Sequence, residues 1–133
     1  MFFQGGAIRP KGVWRGFAMN SRFTLKQNRD FRRLYAKGKS SANRFLALYC
    51  RRNGRGVNRM GYTVSSKLGG AVVRNRVRRR LREIARLNMP GLKTGWDIVV
   101  VARLRAVDAP YAELDRAYRD ACDALGLLRE EET

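Results

Sequence analysis

The chain has 133 residues, 44% hydrophobic and 30% charged, a profile that suits one globular domain and leaves no room for two. Its 29 Lys and Arg against 11 Asp and Glu give a net charge of +18, which points to nucleic acid or an anionic membrane surface. The chain has no His, which removes the commonest general base and metal ligand; two cysteines are too few for a zinc site; and no apolar run approaches the ~20 residues that a bilayer crossing needs. The charge is also segregated. Residues 1–107 carry 26 basic and three acidic residues, a net of +23, whereas residues 108–133 carry three basic and eight acidic ones, a net of −5.

In chain order, residues 1–20 hold four glycines and a proline with no sustained period, and predict a disordered basic extension with Met19 as an alternative start. Thr24 to Gly38 predicts a first helix, capped by Thr24 or Asn28 and stopped by Gly38. Phe31, Leu34 and Tyr35 share one face of it, and Arg29, Arg32, Arg33 and Lys37 form a basic flank. Arg44 to Arg51 alternates as a strand, with Phe45, Ala47 and Tyr49 on one side and Leu46, Leu48 and Cys50 on the other. Asn53-Gly54 predicts a turn, and Arg59 to Ser65 the returning strand. One face of that strand (Gly61, Thr63, Ser65) is small and polar, suited to close approach by a ligand or another chain.

Gly69 and Gly70 lead into Ala71–Asn88, which holds seven arginines, one acid and no Pro or Gly. At 3.6 residues per turn, Val73, Val77, Leu81 and Ile84 form a narrow apolar seam. Asn75, Arg78, Arg79, Arg82 and Arg86 fall opposite it. Arginines at this density repel one another unless an anion neutralises them, so a polyanion partner outweighs a merely solvated face. Beyond a Pro/Gly loop, Trp96 to Arg103 contains the run IVVVA and predicts a strand buried on both faces and central in the sheet. From Tyr111, the spacing of Leu114, Ala117, Tyr118, Ala121, Cys122 and Leu125 predicts a last helix, stopped by Gly126, with the acidic tail frayed. The two cysteines read as reduced core residues. The order is α-β-β-α-β-α: an α/β (α+β) two-layer sandwich with a mixed sheet, spanning a single RNA-binding domain at 21–127 between the extension at 1–20 and an acidic tail at 128–133.

Guanidinium forks bind phosphate oxygens bidentately and stack on bases, and the narrow seam is unlike the broad apolar face of a membrane-surface helix, so RNA is the favoured polyanion. Residue types alone leave open a subunit of a ribonucleoprotein enzyme and a structural RNA-binding protein of the ribosomal kind. A protein-only nuclease has no supporting acid cluster.

Arg74-Asn75-Arg76, followed by Arg78, Arg79, Arg82 and Glu83, resembles the signature of the bacterial ribonuclease P protein component. The likeness extends from about Leu25 to Leu127. It includes Asp30-Phe31 through Tyr35 to Gly38, Ala42-Asn43-Arg44, the run from Gly61 through Val64-Ser65 and Lys67 to Gly69, the Asp97–Arg103 strand and Tyr111. Gly70 and Ser66 depart from the usual Asn and Lys.

The resemblance implies a left-handed β-α-β crossover and a protein subunit of ribonuclease P, an endoribonuclease that matures the 5′ end of tRNA. It implies a catalytic site in the RNA subunit, with Mg²⁺ held by that RNA and the substrate, and no catalytic or metal-binding residue in the protein. Arg74, Asn75, Arg76, Arg78, Arg79, Arg82 and Arg86 would bind the RNA subunit. Phe31, Tyr35, Asn43, Arg44, Tyr49, Ser65 and Lys67 would bind the leader of precursor tRNA. The implied partners are those two RNAs, with neither membrane nor DNA, in the cytoplasm.

Overall fold

A computed structural model describes residues 24, 25 and 27–129. The expectations for residues 1–20 and for the last four residues lie outside it. Helix α1 spans Asn28–Lys37, and strands β1 (Lys39–Ala42), β2 (Leu46–Arg52) and β3 (Arg59–Thr63) follow. Helix α2 is Ala71–Asn88, strand β4 Trp96–Ala102 and helix α3 Tyr111–Ala124. The sheet order is β1-β2-β4-β3; β4 runs antiparallel to β2 and parallel to β3.

Four differences from the sequence reading stand out. The order is α-β-β-β-α-β-α, because β1 (KSSA) is an additional strand with no large apolar residue to announce it; pairing of Lys39 with Cys50 through Ala42 with Ala47 makes it one. β3 does not return against β2, since β4 is inserted between them. The Asn53-Gly54 turn is real, with Gly54 at φ 71°, but Asn53 spends its groups on neighbours: its N–H donates to the Gly95 carbonyl and its Oδ1 accepts from the Arg55 N–H. Finally, Arg129 is tied down rather than frayed, donating its backbone N–H to Gly91 and Nε to the Leu92 carbonyl.

β4 carries Ile98, Val100 and Ala102 to one sheet face and Val99 and Val101 to the other. The first face packs under α2 and α3 in a large cluster that includes Leu46, Leu48, Val77, Leu81, Ile84, Leu114 and Tyr118; Cys50 and Cys122 lie in it as free thiols. This is the expected sandwich. The reverse face is covered over part of its area by α1, through Leu25, Leu34 and Val99 with Phe31, Tyr49 and Val101 around them. Ahead of α1, Thr24 bridges to Met60 and the Leu25 N–H donates to the Met60 carbonyl, so this stretch follows β3 instead of opening the helix. Gln27 takes the N-cap position.

Candidate RNA interface

Phe31 and Tyr35 lie one turn apart on α1, with ring centroids 6.4 Å apart. Tyr35 meets the Tyr49 ring of β2 edge-on at 4.9 Å, and its hydroxyl hydrogen-bonds Thr63 Oγ1 at 2.9 Å. Tyr35 is 42% exposed although it is held at both ends. Beside these rings runs an open cleft of about 480 Å³ between α1 and the end of β3, lined by Asn28, Phe31, Arg32, Tyr35, Thr63 and Val64. The floor depends on Gly61: a Cβ there would stand 2.8 Å from the Phe31 ring. The close approach expected at this small-residue face is therefore made by the chain's own Phe31. β3 is an edge strand, so its outer backbone groups beyond the Thr24–Met60 bridge border the cleft.

The other expected leader residues are spread along the same end of the sheet. Ser65 and Lys67 follow β3, where Ser65 Oγ accepts from the Lys67 N–H and starts the short 3₁₀ turn Ser66–Leu68. Asn43 sits across the sheet with its amide fully engaged: Oδ1 accepts from the Phe45 and Leu46 N–H groups, and Nδ2 donates to the Ala117 carbonyl of α3. Asn43 thus builds the β1–β2 turn. Arg44 is exposed, its guanidinium 5.3 Å from the Phe45 ring centroid. Thr63, which the sequence reading left unassigned, is the residue that fixes Tyr35; its place on the small polar face of β3 was the available signal.

Helix α2 has the bounds that its sequence predicts. Its seam is rotated a little: Ala85 is fully buried with Val77, Leu81 and Ile84, while Val73 is only partly covered. The rotation carries Arg82 from the expected outward face to a half-buried place 5.9 Å from the Tyr62 ring centroid, where burial lowers the proton affinity of its guanidinium. The arginines then divide by partner. Arg76 and Arg80 donate to the carbonyls of Val107 and Ala109, in the connection to α3, and Arg80 stacks near Tyr111. Arg74 donates to the carbonyl of Gly69, the glycine of this turn that needs its positive φ of 141°. Arg86 pairs with Glu83 at 3.4 Å. Among the described residues Arg78 reaches only its own helix, at Asn75, and both Asn75 and Arg79 are exposed.

Among the described residues no group of three or more Cys, Asp or Glu could hold a metal ion, and no helix is long and apolar enough to cross a membrane. The family model for ribonuclease P matches residues 19–126. The ribonuclease P protein component of Alkaliphilus oremlandii is 50% identical over 104 residues, covering 78% of this chain and 91% of that one. Among solved structures, the ribonuclease P protein of Staphylococcus aureus matches with TM-score 0.74 and 32% identity over 80% of this chain and 98% of that one. The ribonuclease P protein of Thermotoga maritima matches with TM-score 0.69 and 30% identity over 82% and 98%. With the family model, the sequence relatives and the fold in agreement, the chain belongs to the ribonuclease P protein family, the protein component of that endoribonuclease.

Proposed function

We propose that the chain docks on the catalytic RNA subunit through α2 and holds the single-stranded 5′ leader of precursor tRNA in the aromatic cleft, promoting 5′ maturation of tRNA in the cytoplasm. The carrying observation is the fixed Phe31–Tyr35–Tyr49 ring series, part-exposed beside an open cleft. Unpaired bases stack on such rings at roughly 1–3 kcal/mol per base, whatever their identity. Arg78, Arg79 and Asn75 present the outward face of α2 to the RNA subunit, with Arg82 and Arg86 at its margin. Arg74 and Arg76 reach it while also tying α2 to the Gly69 turn and to the connection before α3. Arg44, Ser65 and Lys67 extend the basic, hydrogen-bonding track along the leader, and Asn43 shapes the turn that presents Arg44. In this reading the Mg²⁺ implied by the family would be held by the RNA subunit and the substrate. The protein's share is to bind, orient and neutralise charge.

Phe31→Ala tests the cleft. It should raise the Kd of the holoenzyme for leader-bearing tRNA by an amount equivalent to about 1–3 kcal/mol and leave mature tRNA unaffected. Arg78→Ala with Arg79→Ala should instead weaken affinity for the RNA subunit and lower its salt slope by roughly 1–2. If folded Phe31→Ala binds both tRNAs as the parent chain does, the cleft reading is wrong.

A further inference from the structure

A second cavity, of about 580 Å³, lies on the same sheet face as the aromatic cleft but at the opposite end of the strands. Six arginines line it: Arg29 and Arg33 from α1, Arg51 and Arg52 from the end of β2, Arg55 from the following loop, and Arg59 from the start of β3. Among the described residues only two acids lie with them, Asp30 and Asp97. Asp97 is already committed. Arg59 grips it with Nε on Oδ1 at 2.8 Å and Nη2 on Oδ2 at 2.7 Å, and Asn53 Nδ2 donates to Oδ1 at 2.9 Å. Five arginines therefore face one remaining carboxylate, and among the described residues none of the five forms a salt bridge.

The two spaces are the two flanks of one short helix. Asn28, Phe31, Arg32 and Tyr35 look into the aromatic cleft, while Gln27, Arg29, Asp30 and Arg33 look into the arginine cavity. Gln27 and Asn28 are adjacent, so the spaces approach each other around the first turn of α1. Their linings differ in kind. Among the described residues no aromatic lines the arginine cavity, so these side chains give a base nothing to stack on, whereas guanidinium forks match phosphate oxygens.

The geometry points to a phosphate-binding extension of the leader site: this cavity holds consecutive phosphodiesters of the same single strand after its bases leave the aromatic rings and the strand turns around the N-terminal end of α1. The inference rests on the leader reading above. It assigns the two flanks different tasks, stacking on one and base-blind charge recognition on the other. The Arg59–Asp97–Asn53 set is the rigid wall of the cavity, and the exposed arginines of α1 and the 53–55 loop are its movable ligands.

The test uses the holoenzyme with the full chain and precursor tRNAs whose leaders are lengthened one nucleotide at a time. Affinity of the parent enzyme should rise in two stages. A variant combining Arg29→Gln, Arg33→Gln and Arg55→Gln, all exposed positions, should match the parent on short leaders and lose the second stage, roughly tenfold or more at moderate salt, with a salt slope smaller by about 2. Removing the bases from the far part of a long leader should leave parent affinity intact, while uncharged methylphosphonate linkages there should abolish the second stage. The proposal is overturned if the triple variant equals the parent at every length, if it weakens leaderless tRNA equally, or if base removal costs as much as charge removal. Phe31→Ala run in the same series fails independently: no effect on any leader-bearing tRNA sinks the stacking reading, while the comparison of abasic and uncharged linkages still decides the cavity.

Discussion

The two faces of the sheet are filled to different depths. Under α2 and α3, side chains from both helices and from β2, β3 and β4 close into one core around Leu48, Cys50, Ile98 and Val100, and Leu81, Ile84 and Tyr118 are buried whole. Under α1, the buried hydrophobic cluster among the described residues is just Leu25, Leu34 and Val99, and the rings that extend it are half in solvent. A helix of ten residues cannot cover a sheet face, and the uncovered part becomes the cleft and the arginine cavity. One face accounts for most of the apolar burial, and the other trades burial for access. A domain of this size can leave one sheet face half-built only because the opposite one is complete.

The largest effect should come from breaking the thick face. Leu81→Ala removes a fully buried side chain beneath α2 and should lower stability by roughly 2–5 kcal/mol in urea unfolding, while the folded fraction keeps its affinity for leader-bearing tRNA. An equal loss of leader affinity in folded protein would mean that the faces are coupled. The second effect is a pH dependence confined to that same face. Burial raises the Cys122 thiol to about 12 and pushes Cys50, Tyr62 and Tyr118 upward as well. These groups fold neutral, so their contribution is fully present below the ordinary thiol value near 9 and is lost as pH climbs from there toward 12. Urea midpoints should hold to about pH 8.5 and fall above it, and Cys122→Ala should blunt the fall; a flat profile to pH 11 contradicts the burial. The smallest effect should come from the thin face. Gly61→Ala places a methyl group 2.8 Å from the Phe31 ring and should cost about 1–3 kcal/mol at most, because the ring can swing outward. Its signature is a loss of leader affinity larger than the loss of stability warrants.

How much of this could be read beforehand depended on where the partners lie in the chain. The bounds of α2 were legible because an uninterrupted helix-forming run follows Gly69-Gly70, and β4 was legible as an interior strand because IVVVA is apolar on both faces. Ring spacing on α1 gave Phe31 and Tyr35 one face, the family resemblance joined Tyr49 to them, and the structure adds Thr63. What stayed hidden depends on long-range placement. Nothing in the local pattern says that β4 enters between β2 and β3, or that Arg76 and Arg80 find carbonyls about 30 positions later. The rotation that draws Ala85 inward and Arg82 toward Tyr62 reflects a small side chain permitting close helix packing, which periodicity alone places at the margin. The arginine cavity gathers residues from α1, β2, β3 and a loop, each unremarkable in its own segment.

Strand β1 has a consequence of another kind. It forms one outer border of the sheet, and an outer border offers another chain a row of free backbone groups on which to add a strand. Here that border reads Lys-Ser-Ser-Ala: short, with a charge at one end and no large apolar side chain to set a register. A neighbouring molecule that paired with it would gain backbone hydrogen bonds but little burial, and would bring two strongly cationic proteins together. The same plainness that concealed β1 in the sequence protects the protein from self-association while no RNA is bound.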